Sequence, residues 1–164
     1  MIAILESLFL GFLASLVALF AEALAFTMVT WSATPWTINY EQTILSAKFV
    51  LLFVVIEELA KFFFITKQVA TIHSKWQGLF HAALIGLGFA SIESLIVYQR
   101  LQHTIDSQWV PLLGIFVVHV FTSFVIGIVS IQRWRLWITA LISLAITISL
   151  HTAYNFNIIN HFFW

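Results

Sequence analysis

Apolar residues run along this chain in five long stretches divided by four short polar breaks, and that alternation predicts a bundle of long helices. The first stretch, about Ile2 to Thr30, is interrupted only by Glu6 and Glu22. It is longer than a signal-peptide core and no basic segment precedes it, so it is expected to remain as an uncleaved span. Trp31 to Gln42, with Pro35, Trp36, Asn39 and Tyr40, reads as a loop with interfacial aromatics. A second helix is predicted over about Thr43 to Thr66. Lys67, His73 and Lys75 mark the next break, and a third helix over Trp76 to Tyr98 contains His81 and Glu93. Gly78, Gly86 and Gly88 within it permit close helix approach. Arg100, His103 and Asp106 mark a further loop, and Pro111 suits the first turn of a fourth helix that runs uncharged to Gln132. Arg133 and Arg135 form a short turn before a fifth helix, about Leu136 to Asn160, which carries His151 and Asn155.

Composition fixes the solvent of these helices. With 62% hydrophobic and 9% charged residues, and a mean hydropathy of +1.02, the chain is far more apolar than soluble domains, in which roughly a quarter of residues are charged. It reads as an all-α, polytopic membrane helix bundle of about five transmembrane helices. A span takes about 20 residues, so 164 residues make a single transmembrane helical domain, 1–164. The lipid bilayer is therefore its first partner. A formal charge of zero gives no argument for nucleic acid. The lack of cysteine removes disulfides, thiolate nucleophiles and Cys-based zinc sites. Any catalysis must use carboxylates, imidazoles, hydroxyls or a metal. Lys67, Lys75, Arg133 and Arg135 fall on one side and Arg100 on the other, so the positive-inside rule places the N terminus in the cytoplasm and the C terminus outside.

Against this apolar background the second helix carries Glu57-Glu58-Leu59-Ala60-Lys61. A charge near the bilayer centre costs at least about 2.5–3.5 kcal/mol on insertion scales, so such residues face a protein interior or a wet cavity and are functional candidates. Glu57 and Lys61 stand four apart and share a helix face, with Glu58 turned by about 100°. Lys61 can pair with either acid, and a structural ion pair locking two helices is the competing reading. Two acids share one lysine, however, which leaves a carboxylate suited to acid–base work. Glu93, in Gly88-Phe89-Ala90-Ser91-Ile92-Glu93-Ser94, has no basic neighbour in its helix. His119 lies in the fourth predicted helix, and His151 and Asn155 share a face of the fifth. Spread over four consecutive spans, these residues point to one shared site.

Depth tests that reading. At a rise of about 1.5 Å per residue, the predicted boundaries put His119 about 12 Å and His151 about 13 Å from the outer helix ends, but Glu93 about 8 Å and Glu57 about 21 Å. Convergence requires the third helix to be longer and the second to start deeper.

The same residues resemble the PrsW family of membrane proteases, within a broader set that includes the CAAX prenyl endopeptidases and bacteriocin-immunity membrane proteins. Glu57-Glu58-x-x-Lys61 matches its double-Glu and Lys signature, Phe89-x-x-x-Glu93 the second motif, His119 the third and His151-x-x-x-Asn155 the last. Where relatives often carry Asn after the second-motif Glu, this chain has Ser94. The resemblance implies hydrolysis of peptide bonds in a membrane-associated protein or peptide substrate, by a multi-pass protein of a prokaryotic plasma membrane. In a metal-free version Glu57 deprotonates water with help from Glu93 or His119, His151 and Asn155 donate to the developing oxyanion, and Glu58 and Lys61 orient Glu57. In a metal version Glu93, His119 and His151 hold a divalent ion such as zinc, a fourth position is left for water, and Glu57 is the base.

Rival classes are a binding or immunity protein of the same fold, a proton-coupled carrier and a structural subunit. Every motif residue is present, which weighs against the first. The apolar flanks Val54 to Ile56 and Phe62 to Phe64 suggest a closed pocket and weigh against the second. His73, His103 and His161 read as loop or terminal residues and His81 as packing; Glu6 and Glu22 are candidates to face the bundle.

Overall fold

The structure, a computed structural model, describes residues 2–31, 46–101, 109–132 and 136–162. Residues 32–42, His103, Asp106, Arg133 and Arg135, read above as loops and turns, lie outside the described residues, as do the side chains of Arg100 and His161. The described residues form helices α1 (Ile2–Thr30), α2 (Ala47–Ala70), α3 (Lys75–Leu101), α4 (Trp109–Ile131) and α5 (Leu136–Phe162), with no strand among them. Four of these, α1, α3, α4 and α5, are long and apolar enough to cross a membrane. The charged cluster dilutes the apolarity of α2, yet its 24 residues reach about 36 Å, beyond the roughly 30 Å of a hydrocarbon core.

The placement of α2 answers its charge. It packs against every other helix, whereas α1 touches only α2 and α3, and α5 only α2 and α4. The most charged helix is thus the central one, shielded by four neighbours long and apolar enough to span a membrane. Its buried stripe is Phe49, Val50, Val54, Glu58, Lys61, Ile65 and Val69, which from Val50 onward advances by three or four residues, the spacing of one helix face. On α4 the corresponding stripe is Pro111, Ile115, His119, Thr122, Ser123, Ile126 and Gly127. On α5 it is Ala140, Ser143, Thr147 and His151, while Leu141, Ile142, Ile146 and Leu150 face outward. Small and polar groups inside with large aliphatics outside is the order expected where lipid is the solvent.

Close approach depends on glycine. A methyl group added at Gly88 would lie 3.2 Å from the Gly11 Cα and press on the Leu8 carbonyl; one added at Gly86 would lie 2.6 Å from the His119 carbonyl oxygen. Backbone cannot step aside as a side chain can. Gly88→Ala is therefore expected to destabilise by about 1–3 kcal/mol, read as a lower thermal midpoint in detergent. Gly78→Ala, whose new methyl would meet only the Ile131 and Val69 side chains at 3.4 Å, is expected to leave the midpoint unchanged.

Helix boundaries matter for depth. Ser46 is extended (φ −66, ψ 145) and its carbonyl accepts from the Phe49 and Val50 amides, so α2 begins at Ala47 and not at Thr43. The polar Lys67 and Gln68 continue the helix to Ala70 because long side chains can carry their heads toward the interface. With the observed ends, Glu57 lies about 15 Å, Glu93 about 12 Å, His119 about 15 Å and His151 about 17 Å from the same side of the bundle. The 13 Å spread expected from sequence shrinks to about 5 Å. Toward the other side, Ile65, Val69, Ala82, Ile85 and Ile126 form an apolar core flanked by Leu10, Phe62 and Ile131. The polar level is therefore backed on that side by an apolar cluster.

Candidate active site

Halfway along α2 the buried stripe turns polar, and three helices, α3, α4 and α5, answer it. Lys61 and Glu58 are both fully buried. The Lys61 Nζ donates to Glu58 Oε1 at 2.6 Å and to Thr122 Oγ1 at 2.7 Å, and lies 3.1 Å from His119 Nδ1. It also stands 5.4 Å from the centroid of the Phe89 ring. Of the two acids, then, the one three residues away takes the lysine, because the inward stripe passes through 58 and 61 and turns Glu57 aside. Thr122 is a participant that sequence reading missed; its signal was its position one turn beyond His119 on the same helix.

Glu58 has a second task. Its Oε1 accepts from His151 Nδ1 at 2.8 Å, tying α5 to α2. It therefore orients His151, and Lys61 contacts His119, in place of the expected orientation of Glu57 by both. Glu93 lacks a basic neighbour on α3, and His119 of α4 supplies one through a short contact between Nε2 and Glu93 Oε2. The His119 ring lies against Phe89 with centroids 4.9 Å apart, and meets His151 edge-on at 4.7 Å. Glu57 Oε2 lies 3.4 Å from His151 Nε2. Both atoms are buried and neither has a hydrogen-bond partner among the described residues.

The outcome is convergence of Glu57, Glu93, His119 and His151, each offering one ligand atom, with those atoms all within 4.8 Å of one another. Asn155 lies one turn beyond His151 and is half-buried, and among the described residues it makes no hydrogen bond to the cluster. Ser94 is buried with its hydroxyl unpartnered. Glu22 is close enough for its charge to act on Glu57, whereas Glu6 is exposed and does not face the bundle. His73 lies exposed in the turn between α2 and α3. His81 does more than fill space, since its Nδ1 is 2.6 Å from the Ser7 hydroxyl and joins α3 to α1.

Three carboxyl groups, Glu57, Glu58 and Glu93, face one lysine, so the pocket needs further positive charge, from protons or from a cation. Its donors fit a divalent metal. Carboxylate oxygens and imidazole nitrogens are zinc's hard and borderline ligands, and atoms bound to a tetrahedral zinc at about 2.1 Å stand about 3.4 Å apart, the separation of the two orphaned atoms of Glu57 and His151. Glu57 and Glu93 form the open side: their side chains are 13% and 21% exposed, those of His119 and His151 fully enclosed. A substrate therefore meets the acids first.

The model of the PrsW family, described as an intramembrane metalloprotease family, matches residues 2–163. Neither a curated protein nor a solved structure matches the chain.

Proposed function

The chain belongs to the PrsW family and is a membrane-embedded peptidase, and on that premise we propose that it cuts membrane-associated protein or peptide substrates with a water activated by Glu57. The observation that carries this is the buried, unpartnered Glu57 Oε2 beside the unpartnered His151 Nε2. Two lone pairs at that spacing can receive both hydrogens of one water. Glu57 takes a proton as the water oxygen bonds to the peptide carbonyl carbon. The carbonyl oxygen gains charge, which an N–H donor, imidazole or the Asn155 amide, would meet. As the C–N bond breaks, the proton held by Glu57 passes to the leaving amine, so Glu57 ends as it began. Glu93 holds His119 in place through their contact.

A divalent cation such as zinc would be held by donors from Glu57, Glu93, His119 and His151, and when bound would polarise the carbonyl and acidify the attacking water. The seat is the plasma membrane of a prokaryote, with Lys67 and Lys75 at the cytoplasmic side by the positive-inside rule.

The test is cleavage of a membrane-tethered reporter by purified protein in liposomes. Wild type is expected to cut, and Glu57→Gln to leave the reporter intact. Failure of wild type across a diverse library of presented peptides, or equal cutting by Glu57→Gln, contradicts the proposal. Adding a chelator separates the two versions: loss of cleavage, restored by zinc, assigns the metal, and unchanged cleavage assigns Glu57 alone.

A further inference from the structure

The two histidines are equally buried and meet edge to face, yet their surroundings differ. An ammonium has hydrogens to give and no lone pair to receive with. Lys61 donates to Glu58 Oε1 at 2.6 Å and Thr122 Oγ1 at 2.7 Å, and its third hydrogen is directed at His119 Nδ1 at 3.1 Å. His119 Nδ1 must accept it. The ring hydrogen of a neutral His119 is then on Nε2, where Glu93 Oε2 takes it.

His151 is held the other way round. Its Nδ1 lies 2.8 Å from the Glu58 carboxylate, which can only accept. Its Nε2 lies 3.4 Å from Glu57 Oε2, too long for an N–H donating to a carboxylate, which settles at about 2.7–2.9 Å. Glu58 Oε1 is the common anchor: through Lys61 it fixes one imidazole, and directly it fixes the other.

From this we infer that the two histidines have opposite tautomers and opposite roles, set by the Glu58–Lys61–Thr122 clamp. His119 is the N–H donor of the site, its Nε2 hydrogen shared between Glu93 and a substrate carbonyl oxygen. His151 is the lone-pair partner of Glu57 at the water. This exchanges the duties that the sequence gave them, and it removes His119 from the ligands of any cation, leaving Glu57, Glu93 and His151. Lys61 and Thr122 are positioning residues, since they act through His119. The inference rests on the hydrolytic reading of the pocket, but its test does not use cleavage.

Nitrogen-15 spectra of histidine-labelled protein, with signals assigned by His119→Ala and His151→Ala, read the tautomers directly. The expected result is hydrogen on Nε2 for His119 and on Nδ1 for His151. Substituting both members of the ion pair, Glu58→Gln with Lys61→Met, avoids leaving one charge buried alone, and is expected to release His119 from the single tautomer; Thr122→Val should do so in part. Hydrogen on Nδ1 of His119 in wild type, or a His119 signal unchanged in the double variant, overturns the inference. X-ray absorption of protein loaded with zinc supplies the second reading: one imidazole ligand in wild type and in His119→Ala, none in His151→Ala, and two in the Glu58→Gln/Lys61→Met variant. Two imidazoles in wild type overturn it as well. Failure of reporter cleavage with the expected tautomers would overturn the hydrolytic reading and leave the clamp standing.

Discussion

Glu57→Gln is expected to lower kcat for peptide cleavage by about 10²–10⁴-fold, the range over which a positioned general base contributes, while leaving the fold intact. Gln has nearly the shape of Glu, and the altered oxygen has no hydrogen-bond partner to lose among the described residues. Removing a carboxylate from a pocket where three acids face one lysine also relieves like-charge crowding. The thermal midpoint in detergent should therefore hold or rise as activity falls. A variant both inactive and unfolded would show Glu57 to be a packing residue, and an active one would remove it from the chemistry.

Glu58→Leu should behave in the opposite way. It strands the fully buried Lys61 ammonium, and removing one member of a buried ion pair costs about 3–5 kcal/mol. It also takes the acceptor from His151 Nδ1. Adding Lys61→Met to Glu58→Leu removes the stranded charge, and replacing both members of such a pair by apolar residues is often neutral, so the thermal midpoint of the double variant should largely recover. Activity should not recover with it, because His151 and His119 still lack the groups that fix them. Recovery of both would reduce the pair to a structural bolt, the reading that the sequence left open.

The five helices were legible in the chain because an apolar stretch of spanning length, ended by Lys, Arg, Pro or an aromatic loop, has few other ways to fold. α1 matches its predicted ends, Ile2 and Thr30. The ends of α2 and α3 were less legible, for one reason: the sequence marks where polarity changes, whereas a helix in a bundle continues until its backbone finds other partners. Thr66 to Ala70 and Gln99 to Leu101 are polar or mixed, and they stay helical. Gln99 to Leu101, together with the later start of α2 at Ala47, decide whether Glu93 and Glu57 share a level with the histidines.

Within the site, Glu57, Glu93, His119 and His151 stood out as costly groups in apolar surroundings, and the fold brings them together. Their pairing was not legible. Spacing allowed Lys61 to choose either acid, and only the angle at which α2 meets α4 and α5 turns Glu58 inward. Thr122 gave no signal of its own, because a hydroxyl in a membrane helix can satisfy itself on its own backbone, as Thr66 does with the Phe62 carbonyl. Asn155 was expected at the oxyanion from its place one turn beyond His151, and that role rests with the proposal.

Residues that act as one catalytic unit lose activity together, so that removing a second costs little once the first is gone. The most direct test of a single site built by α2 and α5 is therefore the kcat of Glu57→Gln, His151→Ala and the double variant on one tethered peptide. The expected result is two large single losses and a double variant no slower than the slower single one. Losses that multiply, or a His151→Ala variant as fast as wild type, would contradict a shared site.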